Sequence, residues 1–167
     1  LARAGDADRL PQIDALAQHS LTGLRRIVAA LAPAELEDTA IAGALDRLLG
    51  GLDADTGILV SLEVEERMPP LPTPVEVTFL RVAQSALANV RQHAGAAAVR
   101  IALTTDDGRV QLSVSDDGVG FDPAAIPPGS ASYGLVAMRS RLRELGGDLE
   151  VVSEPGAGTT LRAEVDL

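Results

Sequence analysis

The chain has 167 residues, 46% of them apolar and only 2% aromatic, with a net charge of −10. That is enough apolar material for a core of Leu, Val, Ile and Ala, and too acidic for a sequence-independent grip on nucleic acid, which needs a basic face. Neither cysteine nor lysine occurs, which excludes disulfides, thiolate metal sites, Cys nucleophiles and a Walker-type phosphate loop.

No apolar run approaches the roughly 20 residues of a membrane span, and no signal peptide is visible. The opening "LARAGDADRLPQ" lacks a Met, so the chain reads as a segment of a longer protein, with room upstream for a membrane anchor. Ile13, Leu16, Leu21, Leu24, Ile27, Val28 and Leu31 recur at helical spacing and predict an amphipathic helix over about 8–31, stopped by Pro33. From pattern alone it is either a core helix or one that packs on another chain. A second helix is expected over about 39–49, ending at Gly50-Gly51. "GILVSLEVEE" then alternates as a strand over about 57–65. Pro74 suits the first turn of the next helix, with Thr73 as its cap, and that helix runs to about Ala94.

"AAVRIALTTDDGRVQLSVSD" reads as a hairpin turning at Asp106-Asp107-Gly108. A helix follows over about 133–145, closed by Gly146-Gly147. Two strands, about 148–153 and 159–166, flank "EPGAG" and complete the chain. Strands joined by short turns pair antiparallel, and the helices then cover one face. The predicted fold is a two-layer α/β (α+β) sandwich, with a mixed, largely antiparallel sheet covered by helices on one face and an N-terminal amphipathic helix.

The strand "VQLSVSDD" ends in paired acids, and "GVG" follows. On residues alone this is either a solvated turn or a place where a carboxylate selects a ligand. Three segments decide the reading by their order: "ALANVRQHA", "DDGVGFD" and "GAGTT". Together they resemble the Bergerat-type ATP-binding fold of histidine kinases, gyrase-like and Hsp90-like ATPases. "YGLVAMRSRLRELGG" is similar to the nitrate-sensor-type branch of two-component sensor histidine kinases. Residues 1–34 resemble the C-terminal helix of that branch's dimerisation and phosphoacceptor region, and residues 35–167 its catalytic domain.

The resemblance implies an ATP- and Mg²⁺-using protein-histidine kinase. Its partners would be a response regulator and, in the full-length protein, a second copy of itself. The segment would be cytoplasmic, with no nucleic-acid or membrane contact. Asp116 would accept a hydrogen bond from the adenine amino group and reject guanine, with Gly118 and Gly120 leaving room for the base and allowing positive φ. Asn89 would ligate Mg²⁺. Gly134 and Leu135 would open a helix N-terminus toward phosphate. Gly158 with Thr159 or Thr160 would reach the nucleotide, and Arg139 would lie near phosphate. The segment "FDPAAIPPGSAS" would form a lid.

Two positions depart from the family pattern. The usual acid four residues before the Asn is Ser85, and the usual basic residue three after it is Gln92, with Arg91 one residue early. A positioned base contributes on the order of 10²–10⁴ in rate, and Ser85 cannot serve as one. A non-catalytic ATP/ADP-sensing module is therefore the alternative. His93 is assigned to packing or capping near its helix end. His19 is read as structural, with the true acceptor expected before Leu1.

Overall fold

A computed structural model describes residues 40–125 and 133–167. The amphipathic helix expected over 8–31, the boundary near residue 34, His19 and the end of the proposed lid lie outside them.

Helix α1 (Ile41–Thr56) buries Ile41, Ala44, Leu45, Leu49 and Leu52 at spacings of three and four residues. It does not stop at Gly50-Gly51. Two glycines in a helix interior each cost about 1 kcal/mol relative to Ala. Burying Leu52 is worth about 1.5–3 kcal/mol and carries the helix one more turn. Gly57, at φ 70°, ends it by donating its N–H to the Asp53 carbonyl at 2.8 Å.

Strand β1 (Leu59–Val64) runs parallel to β2, so the chain must cross over between them. Helix α2 (Thr73–Asn89) is that crossover. Pro74 occupies its first turn as expected, but Thr73 is already helical and no side chain caps the end. The Pro72 carbonyl accepts the N–H groups of Val75 and Glu76 at 2.8 and 3.1 Å instead. Past Asn89 the chain widens into one π turn, Val90–Ala94, closed by Gly95 at φ 57°.

Strands β2 (Ala98–Asp106) and β3 (Arg109–Asp116) form the predicted hairpin. Asp107 and Gly108 both take positive φ, 46° and 79°, as a two-residue type I′ turn requires. Helix α3 (Tyr133–Glu144) precedes the final pair, β4 (Asp148–Ser153) and β5 (Thr159–Asp166). The sheet order is β1-β2-β3-β5-β4, with only β1 and β2 parallel.

Alternation along β2 explains the two layers. Val99, Ile101 and Leu103 are buried toward the helices, where they meet Leu45, Phe79, Leu80 and Met138 in one core. Arg100 faces the other way and pairs with Glu63, while Arg162 pairs with Glu150 at 2.8 Å. Such exposed pairs are worth about 0–1 kcal/mol each, so the apolar layer holds the fold. Among the described residues no helix is long and apolar enough to cross a membrane.

Candidate functional site

Where α2 runs out, the ends of β3 and β5 lie opposite it, and a cavity of about 330 Å³ opens between them. That is within the range of small-molecule sites, about 300–1,000 Å³. Among the described residues its lining is mostly apolar, with four polar side chains: Asn89, His93, Asp116 and Thr159.

Asp116 ends β3. Burial pushes its carboxyl above the ordinary carboxylate value, and the neighbouring Asp117 charge adds to the rise. N–H bonds from Gly118 and Thr159 oppose it, the first at 2.9 Å. Asp117 next to it behaves in the opposite way. It is exposed, and its Oδ1 accepts the N–H groups of Ala97 and Ala98, each at 2.8 Å. The Ala98 bond, opposed by desolvation and reinforced by Ala97, holds Asp117 below its ordinary value. One acid faces the cavity; the other fastens the D-G-x-G loop to the start of β2.

The loop after Asp117 is clamped on both sides. The Val119 N–H donates to the Ala94 carbonyl at 2.8 Å, at the end of the π turn. On the other side the Gly156 N–H donates to the Val119 carbonyl at 2.6 Å. The expectation for the two glycines needs correction here. Gly118 does not take positive φ, and it does not line the cavity. A Cβ there would run into the Ala94 carbonyl and side chain, so glycine is required by the protein's own packing. Gly120 does take positive φ, 58°, and lines the cavity, with the Glu154 carbonyl behind it. Gly158 sits in the same way against the Asp116 carbonyl.

Other expected residues divide sharply. Leu135 and Thr159 line the cavity. Thr160 is on the opposite face of β5, where its hydroxyl lies 3.0 Å from that of Ser115. Gly134 is exposed in the first turn of α3, with open space where a side chain would be. Arg139 donates to the Leu149 carbonyl at 2.9 Å, fastening α3 to β4. Ser85 is half-buried on α2 and outside the lining. Gln92 and Arg91 line a separate groove against α1, where Arg91 pairs with Asp55 at 3.0 Å. Asn89 and Gln92 thus face different surfaces, and Ser85 lines neither.

His93 departs from its assignment. It is exposed and lines the cavity. His93 lies four residues after Asn89, a spacing that shares a face in any helix, and the wider turn instead rotates Gln92, three residues after Asn89, away from that face. Val119 and Phe121 are further walls that the motifs did not single out. Phe121 had one available signal, as one of only two Phe in the chain and directly after G-x-G. Ser153, discussed below, had none.

Among the described residues no group of three or more His, Cys, Asp or Glu is arranged to hold a metal. Asn89 offers one neutral amide oxygen at the cavity. That donor fits Mg²⁺ only where phosphate oxygens and water supply the remaining ligands.

The sequence pattern of the family described as "Histidine kinase-, DNA gyrase B-, and HSP90-like ATPase" matches residues 75–167, over half of the chain. The chain is 31% identical over 146 residues to the signal transduction histidine-protein kinase/phosphatase DegS of Brevibacillus brevis, covering 87% of this chain and 37% of that one. It is 35% identical over 131 residues to the corresponding kinase/phosphatase UhpB of Salmonella typhimurium, covering 77% and 25%. The chain thus spans well under half the length of these relatives. In fold it is similar to the histidine kinase domain of a blue-light activated histidine kinase from Erythrobacter litoralis, with a TM-score of 0.65 at 21% identity, covering 81% of this chain and 65% of that one. Full-length ShkA in complex with AMPPNP gives 0.64 at 21% identity, covering 99% and 39%. A carboxylate at the end of a strand, the clamped G-x-G loop beside it and the family match over the same residues agree: the chain belongs to the histidine kinase-, DNA gyrase B- and HSP90-like ATPases, and residues 75–167 are an ATP-binding catalytic domain of the histidine-kinase type.

Proposed function

We propose that this domain binds Mg-ATP and transfers the γ-phosphoryl group to a histidine on a dimerisation helix, for relay to a response regulator, in a protein that works as a homodimer. The observation that carries this reading is the half-buried Asp116 carboxylate in an otherwise largely apolar cavity. It is an acceptor suited to the amino group of adenine, and guanine presents a carbonyl at that place. Phe121, Val119 and Leu135 give the base apolar walls. Asn89 and His93 stand at the α2 side of the cavity, where the phosphate tail would run. Asn89 would hold Mg²⁺, which supplies charge neutralisation for the phosphate tail when bound with it. The first turn of α3, with Gly134, adds helix-terminal N–H groups for the same purpose. Phosphoryl transfer asks the protein mainly for positioning and charge stabilisation.

Calorimetric titration of the chain with ATP, in Mg²⁺ and then in excess chelator, tests this. Binding that weakens on chelation, with no comparable heat from GTP, is the expected result. No heat from ATP in either condition would sink the reading.

A second reading rests on the cavity lining: among the described residues Asp116 is its sole carboxylate, and Ser85 does not line it. A nucleotide-sensing module without chemistry needs no more than this. Incubating a dimeric kinase that carries this domain with ATP separates the two. Acid-labile, alkali-stable phosphohistidine supports transfer, and ATP binding without it supports sensing.

A further inference from the structure

Ser153 ends β4 and is only 9% exposed. Its hydroxyl makes three hydrogen bonds. It accepts the Phe121 N–H at 2.9 Å, donates to the Gly158 carbonyl at 2.9 Å, and lies 3.0 Å from the Thr159 hydroxyl. A hydroxyl has one hydrogen and two lone pairs. The Gly158 carbonyl can only accept, so it takes that one hydrogen. The bond to Thr159 must then run the other way, with Thr159 donating and Ser153 accepting. The Phe121 N–H fills the second lone pair, and the capacity of Ser153 is complete.

This fixes the Thr159 hydroxyl. Its hydrogen is committed to Ser153, so toward the cavity it presents lone pairs alone. Asp116, paired with Thr159 across β3 and β5, also presents an acceptor. We propose that Ser153 is a positioning residue for base specificity: by holding the Thr159 hydroxyl as an acceptor and Phe121 as a wall, it makes the cavity select a ligand that donates. This inference rests on the adenine-nucleotide reading above and names a determinant of its selectivity. The exocyclic amino group of adenine is such a donor, and a 6-keto purine offers only a carbonyl there. If Ser153 loses its hydroxyl, Thr159 can turn and donate into the cavity, and a keto purine is no longer opposed by it.

The probes are ATP and inosine triphosphate, which has a carbonyl at position 6. In the whole chain, Ser153→Ala should weaken ATP binding roughly tenfold and narrow the ATP-to-inosine-triphosphate preference by a similar factor, as expected from loss of about one buried hydrogen bond. Val165→Ala, a buried substitution at the far end of β5, supplies a control for lost stability and should leave the preference unchanged. Thr159→Val removes the acceptor itself, and adding Ser153→Ala to it should not change the preference further, because the preference is set through that one hydroxyl while the Phe121 wall meets both purines alike. An unchanged preference in Ser153→Ala while ATP still binds would overturn this proposal alone, as would additive effects in the double variant. Failure of the wild-type chain to bind ATP would overturn the nucleotide reading first, and this proposal with it.

Discussion

The Asp116 side of the cavity and the Asn89 side are built in different ways. Around Asp116 the D-G-x-G loop is tied to the end of the π turn through Ala94, to β2 through Asp117, to the β4–β5 turn through Gly156 and to the end of β4 through Ser153. Glycines sit where backbones touch. Across the cavity, Asn89 at the end of α2 and His93 on the π turn are exposed side chains, and no side-chain hydrogen bond caps that turn. The neighbours that would supply an acid and a cation, Ser85 and Gln92, lie off the cavity. The first side is fixed before any ligand arrives, which lowers the entropic cost of binding. The second leaves its geometry to be completed by phosphate and metal. Base selection and phosphate handling should therefore break separately when mutated.

The largest effect is expected at the fixed side. Gly120→Ala forces a side chain into the left-handed region and against the Glu154 carbonyl. Together these cost about 3 kcal/mol or more, read as a lowered urea midpoint. Gly134→Ala, on α3, meets nothing within 4 Å and should stay within about 0.5 kcal/mol. Equal losses at the two glycines would erase the contrast between the regions.

Next comes Asp116→Asn, which keeps an oxygen for the Gly118 N–H but removes the charge. ATP affinity should fall by about 1.5–3 kcal/mol, the worth of a charged hydrogen bond. Stability of the free chain should not fall with it. The folded-state pKa of Asp116 is raised, so its contribution to stability is present below its unfolded pKa and lost as pH rises through the folded one. At neutral pH the ionised acid is thus a mild liability to the free fold, and Asn relieves it. Asp117 has the opposite sign. Its pKa is lowered, so its contribution is present above the unfolded value and lost as pH falls through the folded one. On acidification, ATP affinity should decline at a higher pH than the melting temperature does. Parallel calorimetry and thermal scans check the order; a fold that melts before affinity declines would show that Asp116 is not the group being titrated.

Adjacent carboxylates with opposed roles show what can be read from a sequence. The strand pattern of β3 and the Asp-Gly turn were legible because alternation and positive φ are local properties. The carboxylate before G-x-G was not settled by its own residues, which suit a solvated turn as well, and it was singled out only through the resemblance that the order of the three segments carries. The insertion of β5 between β3 and β4 was not legible, since no local pattern records which strand is the neighbour. Nor was the π turn: Val90 and Ala94 suit an α-helical stripe equally well, yet the wider turn carries Gln92 away from the face that Asn89 and His93 share at the cavity. Ser153 carries no signal at all, because a serine at the end of a strand is ordinary until its three partners are known.

A smaller effect is expected from Arg139→Ala. The guanidinium donates to the Leu149 carbonyl, so its loss should cost about 1 kcal/mol of stability. ATP affinity, measured at a temperature where the variant is folded, should change less than threefold, or about 0.7 kcal/mol. A tenfold loss of ATP affinity with an unchanged melting temperature would return Arg139 to the phosphates.

The smallest change, Gln92→Lys, bears most directly on the difference between the two sides. It places a cation at the position where the family pattern carries one. If the pattern alone governed, affinity for ATP would rise. Gln92, however, lines the groove against α1 beside the Arg91–Asp55 pair, whereas the cavity is reached from the Asn89 and His93 face. A new ammonium there is drawn to Asp55, and its field on the cavity is screened by solvent, with a Debye length of about 8 Å at physiological salt. Affinity for ATP should therefore move by less than about threefold, or about 0.7 kcal/mol, and the small change should shrink further in 0.5 M salt. A tenfold gain that survives high salt would mean that residue 92 reaches the triphosphate. The π turn would then have to unwind when nucleotide binds, and the Asn89 side would be the part of the site that the ligand reshapes.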